Sequence, residues 1–295
     1  MRYLLGLSGE PLDRIPDPRL QGVGMIRSEY LCRLREEYVT ISSCRDFIAQ
    51  YVSNVCRVFA PHEVWYRTTE LVTPEVNVLA GNDKVIEEKH YALGLRGVRR
   101  SVLFRETLRL ELSNIAGIAE QYANLNVLFP YIADPRELEI CLELLDDVGF
   151  RGRYGIMAEI PSAILLLDDF IDLGISSVVI GINDLTALTL GTYRGSKYHD
   201  PTHPAVVKLV KQVVDTGRRR DVTVSLGGYM TGRLHVVCQE VGLDRLIVHY
   251  SDLPEVLGIP GTTLPHLGLL SEIKKLTKCR IAEMEERRWK ERLGI

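Results

Sequence analysis

Eight short apolar runs separated by helix-length segments constrain this chain more than any other feature. The runs are Arg2–Leu7, Gly22–Ile26, Val64–Thr68, Asn126–Ile132, Tyr154–Glu159, Ser177–Ile182, Val222–Leu226 and Arg245–His249. Several, such as VLFPYI, YGIMAEI and SSVVIGI, are apolar almost throughout, the pattern of strands buried on both faces of a parallel sheet. Segments 135–148, 161–173 and 204–219 carry helical periodicity, with Pro at the first turn as a start signal. Eight such alternations predict an α/β fold, a (β/α)8 TIM barrel, with a doubly wound open sheet as the alternative. No G-x-G-x-x-G or G-x-x-x-x-G-K-[ST] supports a nucleotide-binding version of that alternative. No linker or short repeat interrupts the pattern, so residues 1–264 read as one barrel. Residues 265–295 read as a charged, amphipathic helical tail: either a last barrel helix with a solvated extension, or a docking helix for a partner.

Charge and apolar content exclude several functions. Thirty-six basic residues against 39 acidic ones, a net charge of −3, offer no field favouring nucleic acid or an anionic membrane. No apolar run approaches the roughly 20 residues that span a bilayer, and the stretch MRYLLGLSGEPLDRIPD lacks the apolar core of a signal peptide. The six cysteines are scattered without a C-x-x-C pair, so reduced thiols and a cytoplasmic location are expected.

In a barrel of this kind chemistry sits at the C-terminal ends of the strands. Those ends carry Arg27, Arg67, Glu159, Asn183 and Asp184, with Arg96 and Arg99 in the loop after the third strand. Guanidinium groups bind phosphate and carboxylate with paired donors. Glu159 and Asp184, on neighbouring strands, suit a hard cation such as Mg²⁺ that also takes ligand oxygens. Taken singly, each residue also fits a surface ion pair, and Asn183-Asp184 fits a helix cap. Their joint placement at one rim favours a small phosphorylated acid bound with a metal.

The motifs carrying these residues form a recognisable series: GVGMIRSEYL (22–31), YRTTELVTPEVNVLAGND (66–83), LGLRGVRRS (93–101), MAEIPSA (157–163), IGINDLTALTLG (180–191) and HPAVVKLVKQVV (203–214). In that order they resemble the C-terminal PEP/pyruvate-binding barrel of the PEP-utilising enzymes, a group including PEP synthase, pyruvate phosphate dikinase and enzyme I of the sugar phosphotransferase system. The resemblance covers about residues 20–250. It implies that Arg27, Arg67 and Arg96, with Arg99 as a further candidate, hold the phosphate and carboxylate of PEP. It also implies that Glu159 and Asp184 ligate Mg²⁺ and that Asn183 hydrogen-bonds the phosphate.

The chain departs from that pattern at instructive places. The family's Cys, in a C-G-[EQ] turn after the seventh strand, exchanges the proton at the methyl carbon of pyruvate. Here that position falls on Gly227, followed by Gly228, with Ser225 and Tyr229 flanking. A tyrosine, with an ordinary pKa near 10, is a sluggish substitute acid. Ala187 replaces the family Gln after N-D-L-T, and Tyr193 replaces the Asp of L-G-x-D-R. Of the seven histidines, His249 at the end of the eighth strand is the one expected at the rim. No T-S-H-A phosphohistidine signature is present.

The resemblance therefore implies a PEP-synthase-like phosphotransferase component of the pyruvate, water dikinase type. It would bind PEP, pyruvate or another acceptor with Mg²⁺, and receive phosphoryl groups from separate ATP-grasp and phosphohistidine domain proteins. A homodimer is expected from the family. Two further readings are a metal-dependent lyase or aldolase acting through an enolate, and a non-catalytic ligand-binding barrel.

Overall fold

The computed structural model describes residues 1–293, so the last two positions of the predicted tail lie outside the described residues. Eight parallel strands close into a barrel in sequence order: β1 (Arg2–Leu7), β2 (Leu20–Arg27), β3 (Val64–Arg67), β4 (Leu125–Phe129), β5 (Tyr154–Ala158), β6 (Ser177–Gly181), β7 (Thr223–Gly227) and β8 (Arg245–His249). The closing pair runs in unbroken register from Arg2 opposite Arg245 to Gly6 opposite His249. This is the TIM barrel that the alternation predicts, and not the open sheet.

The helices are α1 (Ser28–Arg35), α2 (Ser42–Phe59), α3 (Thr73–Asn77), α4 (Gly97–Leu103), α5 (Arg105–Ala119), α6 (Pro135–Asp147), α7 (Pro161–Leu165), α8 (Leu167–Asp172), α9 (Ile182–Leu190), α10 (Pro204–Arg220), α11 (Gly232–Glu240), α12 (Leu253–Leu257) and α13 (Leu269–Leu293). Two differences from the sequence reading have local causes. The expected strand 126–132 stops at Phe129, because Pro130 has no N–H for the ladder and Tyr131 turns left-handed at φ 52°. The expected helix 161–173 breaks at Leu166 into α7 and α8.

Side chains alternate between two apolar layers. One face of the strands meets the helices in the main core, where Tyr66, Phe129, Ile180 and Leu226 are fully buried. The other face fills the lumen with Leu4, Met25, Trp65, Leu128, Met157, Val179 and Ile247. That plug makes the barrel a packed core with a floor, so a ligand enters only at the mouth. Gly24 is required there, since a Cβ would lie 2.5 Å from Ile247 Cγ1.

The tail forms α13, which folds back against α1 and α3. Ile273 and Thr277 bury its inward stripe, while Arg280 pairs with Glu36 and Arg292 with Glu87 at 2.5 Å. Among the described residues no helix is long and apolar enough to cross a membrane. All six thiols are free, five of them buried; Cys32 and Cys44 stand 3.9 Å apart, too far for a disulfide.

Candidate active site at the barrel mouth

A pocket of about 440 Å³ opens at the C-terminal ends of the strands, within the range of small-molecule sites. Arg27, Arg67, Arg96, Glu159, Asn183, Asp184, Gly227, Gly228, Tyr229 and His249 all line it. Arg99 does not. Its Nη1 donates to the carbonyl of Leu93 at 2.9 Å, and its guanidinium lies 5.6 Å from the Tyr131 ring. Ser225 is also elsewhere, buried on β7 and accepting a 3.2 Å bond from Arg245 Nε.

Glu70, three residues beyond Arg67 at the end of β3, joins the two predicted metal-ligating carboxylates. Oxygens of Glu70, Glu159 and Asp184 all lie within 4.8 Å of one another, and all three residues are buried. Burial and the neighbouring charges of Glu70 and Asp184 push the Glu159 carboxyl well above the usual carboxylate range. Burial acts the same way on Glu70, but the guanidinium groups of Arg67 and Arg96 outweigh it and hold that carboxyl low.

Local backbone and packing fix these groups. Glu159 follows β5, and its Oε1 accepts from the backbone N–H of Tyr131 at 2.7 Å. Gly181 opposite is obligatory for space, because a Cβ there would sit 2.3 Å from Glu159 Oε2. Asp184 lies in the first turn of α9, where the helix dipole favours negative charge. Arg96 bridges the cluster: Nη2 donates to Glu70 and, at 3.1 Å, to Asp184 Oδ2, with the guanidinium stacked 4.2 Å from the Tyr131 ring. Arg67 is buried between Glu29 and Glu70, the latter at 2.6 Å. Arg194, in the loop after α9, reaches back to Asp184.

Arg27 differs from these arginines. It stacks 4.6 Å from the Tyr30 ring, but its buried Nε and Nη2 have no hydrogen-bond partner among the described residues. His249 accepts or donates at both nitrogens, 2.9 Å from Ser8 Oγ and 2.8 Å from Ser251 Oγ. Burial, with Arg27 and Lys274 nearby, pushes its pKa well below the ordinary histidine value. Gly228, at φ 145°, packs so that a Cβ would lie 2.4 Å from Ile182, whereas one on Gly227 would meet only ordinary contacts at 3.7–3.8 Å.

Sequence reasoning overlooked Glu29, Glu70, Tyr131, Arg194 and Lys274. For Glu70 a signal existed, a carboxylate three residues past a strand-end arginine. Tyr131 contributes its backbone N–H to Glu159, which no side-chain motif records, as well as its ring to Arg96.

The donor set, three carboxylates crowded together in a buried place, fits a hard divalent cation that would supply their missing counter-charge. Arginines around it suit an anion. A metal-assisted anion site is what the arrangement can form.

Comparison with known proteins identifies a family. The family model described as PEP-utilising enzyme, PEP-binding domain matches residues 10–257. A probable phosphoenolpyruvate synthase of Pyrococcus abyssi is 32% identical over 235 residues, covering 74% of this chain and 29% of the relative. A probable phosphoenolpyruvate synthase of Methanocaldococcus jannaschii is 31% identical over 256 residues, covering 80% of this chain and 22% of the relative. The chain thus spans less than a third of the length of these relatives. Among solved structures, a HpcH/HpaI aldolase/citrate lyase family protein from Burkholderia cenocepacia superposes with a TM-score of 0.52 at 14% identity. It covers 92% of this chain and 94% of that one, a likeness of fold alone.

Proposed function

Since this chain belongs to the PEP-binding domain family of the PEP-utilising enzymes, we propose that its barrel mouth binds PEP, pyruvate or a related acceptor for phosphoryl transfer of the PEP-synthase kind. The observation that carries the reading is the joining of three buried carboxylates to Arg67 and Arg96 at one strand-end pocket. Glu159 and Asp184, with Glu70 beside them, would hold Mg²⁺, which when bound neutralises charge on ligand oxygens. Arg27, Arg67 and Arg96 orient the ligand's phosphoryl and carboxylate groups, and Asn183 offers an amide donor beside Gly228. Arg99, tied to Leu93 O, is outside this role.

In the transfer itself a phosphorus–nitrogen bond of a phosphohistidine breaks as a phosphorus–oxygen bond to the acceptor forms. Positioning and the arginine charges supply most of the catalysis in such a step. The phosphohistidine and the ATP-consuming step belong to domains outside residues 1–293, on separate proteins in this reading, and the barrel is expected to pair as a homodimer. Gly227 puts no thiol where the family Cys stands, so an alcohol or phenol acceptor, which needs no carbon acid, suits the site better than pyruvate. The acceptor's hydroxyl proton ends on the departing histidine nitrogen, and Tyr229, exposed at the rim, is the side chain placed to relay it. The enolate-lyase reading needs a general base facing the ligand, and both ring nitrogens of His249 are already engaged by the hydroxyls of Ser8 and Ser251.

Phosphorus NMR of PEP with the purified chain and Mg²⁺ tests the reading. The phosphoryl resonance should shift and broaden, and Asp184→Asn should abolish the effect. An unperturbed resonance, or an effect indifferent to Asp184→Asn, overturns it.

A further inference from the structure

The pocket's positive charges are not equally committed. Arg67 is paired with Glu29 and Glu70, Arg96 with Glu70 and Asp184, Arg194 with Asp184, and Arg33 with Glu75 at 2.7 Å. Two lining cations have no carboxylate within ion-pair distance and no hydrogen bond among the described residues: Arg27 at the end of β2, and Lys274 on α13. The first has buried, unsatisfied Nε and Nη2 atoms, an arrangement that costs stability unless a ligand satisfies them.

The period of α13 explains how Lys274 reaches this place. Leu270, Ile273, Lys274 and Thr277 follow the i, i+3, i+4, i+7 spacing of one helix face. Ile273 and Thr277 are buried against the body, and Leu270 lines the pocket one turn before Lys274. Lys274 itself is exposed at the rim, so its ammonium can close over a ligand lying below. Partial desolvation at the rim and the nearby charges of Arg27, Arg33 and Arg194 outweigh Asp252 and lower its pKa, in keeping with a cation short of counter-charge. The helix lies beyond residue 257, where the family match ends.

We infer that Lys274 and Arg27 form a subsite for a phosphoryl group, with Lys274 a ligand-binding residue contributed by α13. Their two uncommitted charges match a phosphoryl group carrying about −1.5 to −2 at neutral pH. The carboxylate cluster on the other wall, with its cation, is left to the carboxylate or enol oxygens. The inference rests on the proposed function, yet its test separates the two.

The experiment titrates the full chain, wild type, Lys274→Met and Lys274→Arg, with PEP, pyruvate and inorganic phosphate in the presence of Mg²⁺. Loss of one charge-assisted contact should weaken PEP and phosphate about tenfold in Lys274→Met. Pyruvate should bind unchanged, and Lys274→Arg should restore most of the affinity. Unchanged PEP and phosphate affinities, or an equal loss for pyruvate, overturn the subsite while leaving the barrel a PEP site. If wild type binds neither PEP nor pyruvate, the proposed function fails. Phosphate then decides the subsite alone: binding sensitive to Lys274→Met upholds it, and no phosphate binding removes it.

Discussion

Arg96 Nη2 lies 3.1 Å from Asp184 Oδ2, and the same guanidinium holds Glu70, so one side chain from the loop before α4 joins the ends of β3 and β6. The pairing balances charge in a site otherwise crowded with carboxylates. Arg96→Ala should leave Glu70 and Asp184 buried without that counter-charge and destabilise the chain by about 3 kcal/mol. Urea unfolding checks this, and added Mg²⁺ should recover part of the loss. A variant as stable as wild type contradicts the role.

Gly181 and Glu159 compete for one space, since a Cβ at 181 would stand 2.3 Å from Glu159 Oε2. Gly181→Ala should therefore displace the carboxylate and weaken Mg²⁺ binding at least tenfold while the barrel still folds, as read by calorimetry and circular dichroism.

The two glycines after β7 should respond differently to the same substitution. Gly227→Cys finds ordinary contacts with Ile247 and Val179 and should shift stability by less than about 1 kcal/mol. Gly228→Cys faces both a φ of 145° and a 2.4 Å approach to Ile182, and should cost about 3 kcal/mol or more. Thermal melts of both variants decide.

Glu111 on α5 accepts from Tyr66 Oη at 2.8 Å and from Thr69 N at 2.9 Å, behind the strand that carries Arg67. Burial outweighs these bonds and raises its carboxyl from 4.5 to about 7. The folded state then binds the proton more tightly than the unfolded one. This contribution is full below pH 4.5 and is lost as pH rises through 7, about 3 kcal/mol in all. The difference between wild type and Glu111→Gln isolates it, because His249 and the other titrating groups are common to both. A stability difference flat across that range contradicts the assignment.

Much of the fold was legible because the strands are apolar on both faces; β1 and β8 match residue for residue. Ends were less legible where a single backbone decides, as at Pro130 and Tyr131. Of the site, the strand-end arginines and the Glu159–Asp184 pair were readable because barrel geometry brings strand ends together. Glu70 was missed because it lies three residues beyond the end of β3, past the strand ends where site residues were sought. Lys274 was masked for a different reason: local periodicity shows a helix face but not where the tail folds back.

The central claim is a cation-assisted PEP site built on Glu70, Glu159, Asp184 and the arginines. Calorimetric titration of the chain with PEP, with and without Mg²⁺, tests it most directly. The account predicts saturable binding that needs Mg²⁺ and disappears in Glu159→Gln. PEP binding of equal strength without Mg²⁺, or no binding at all, would contradict it.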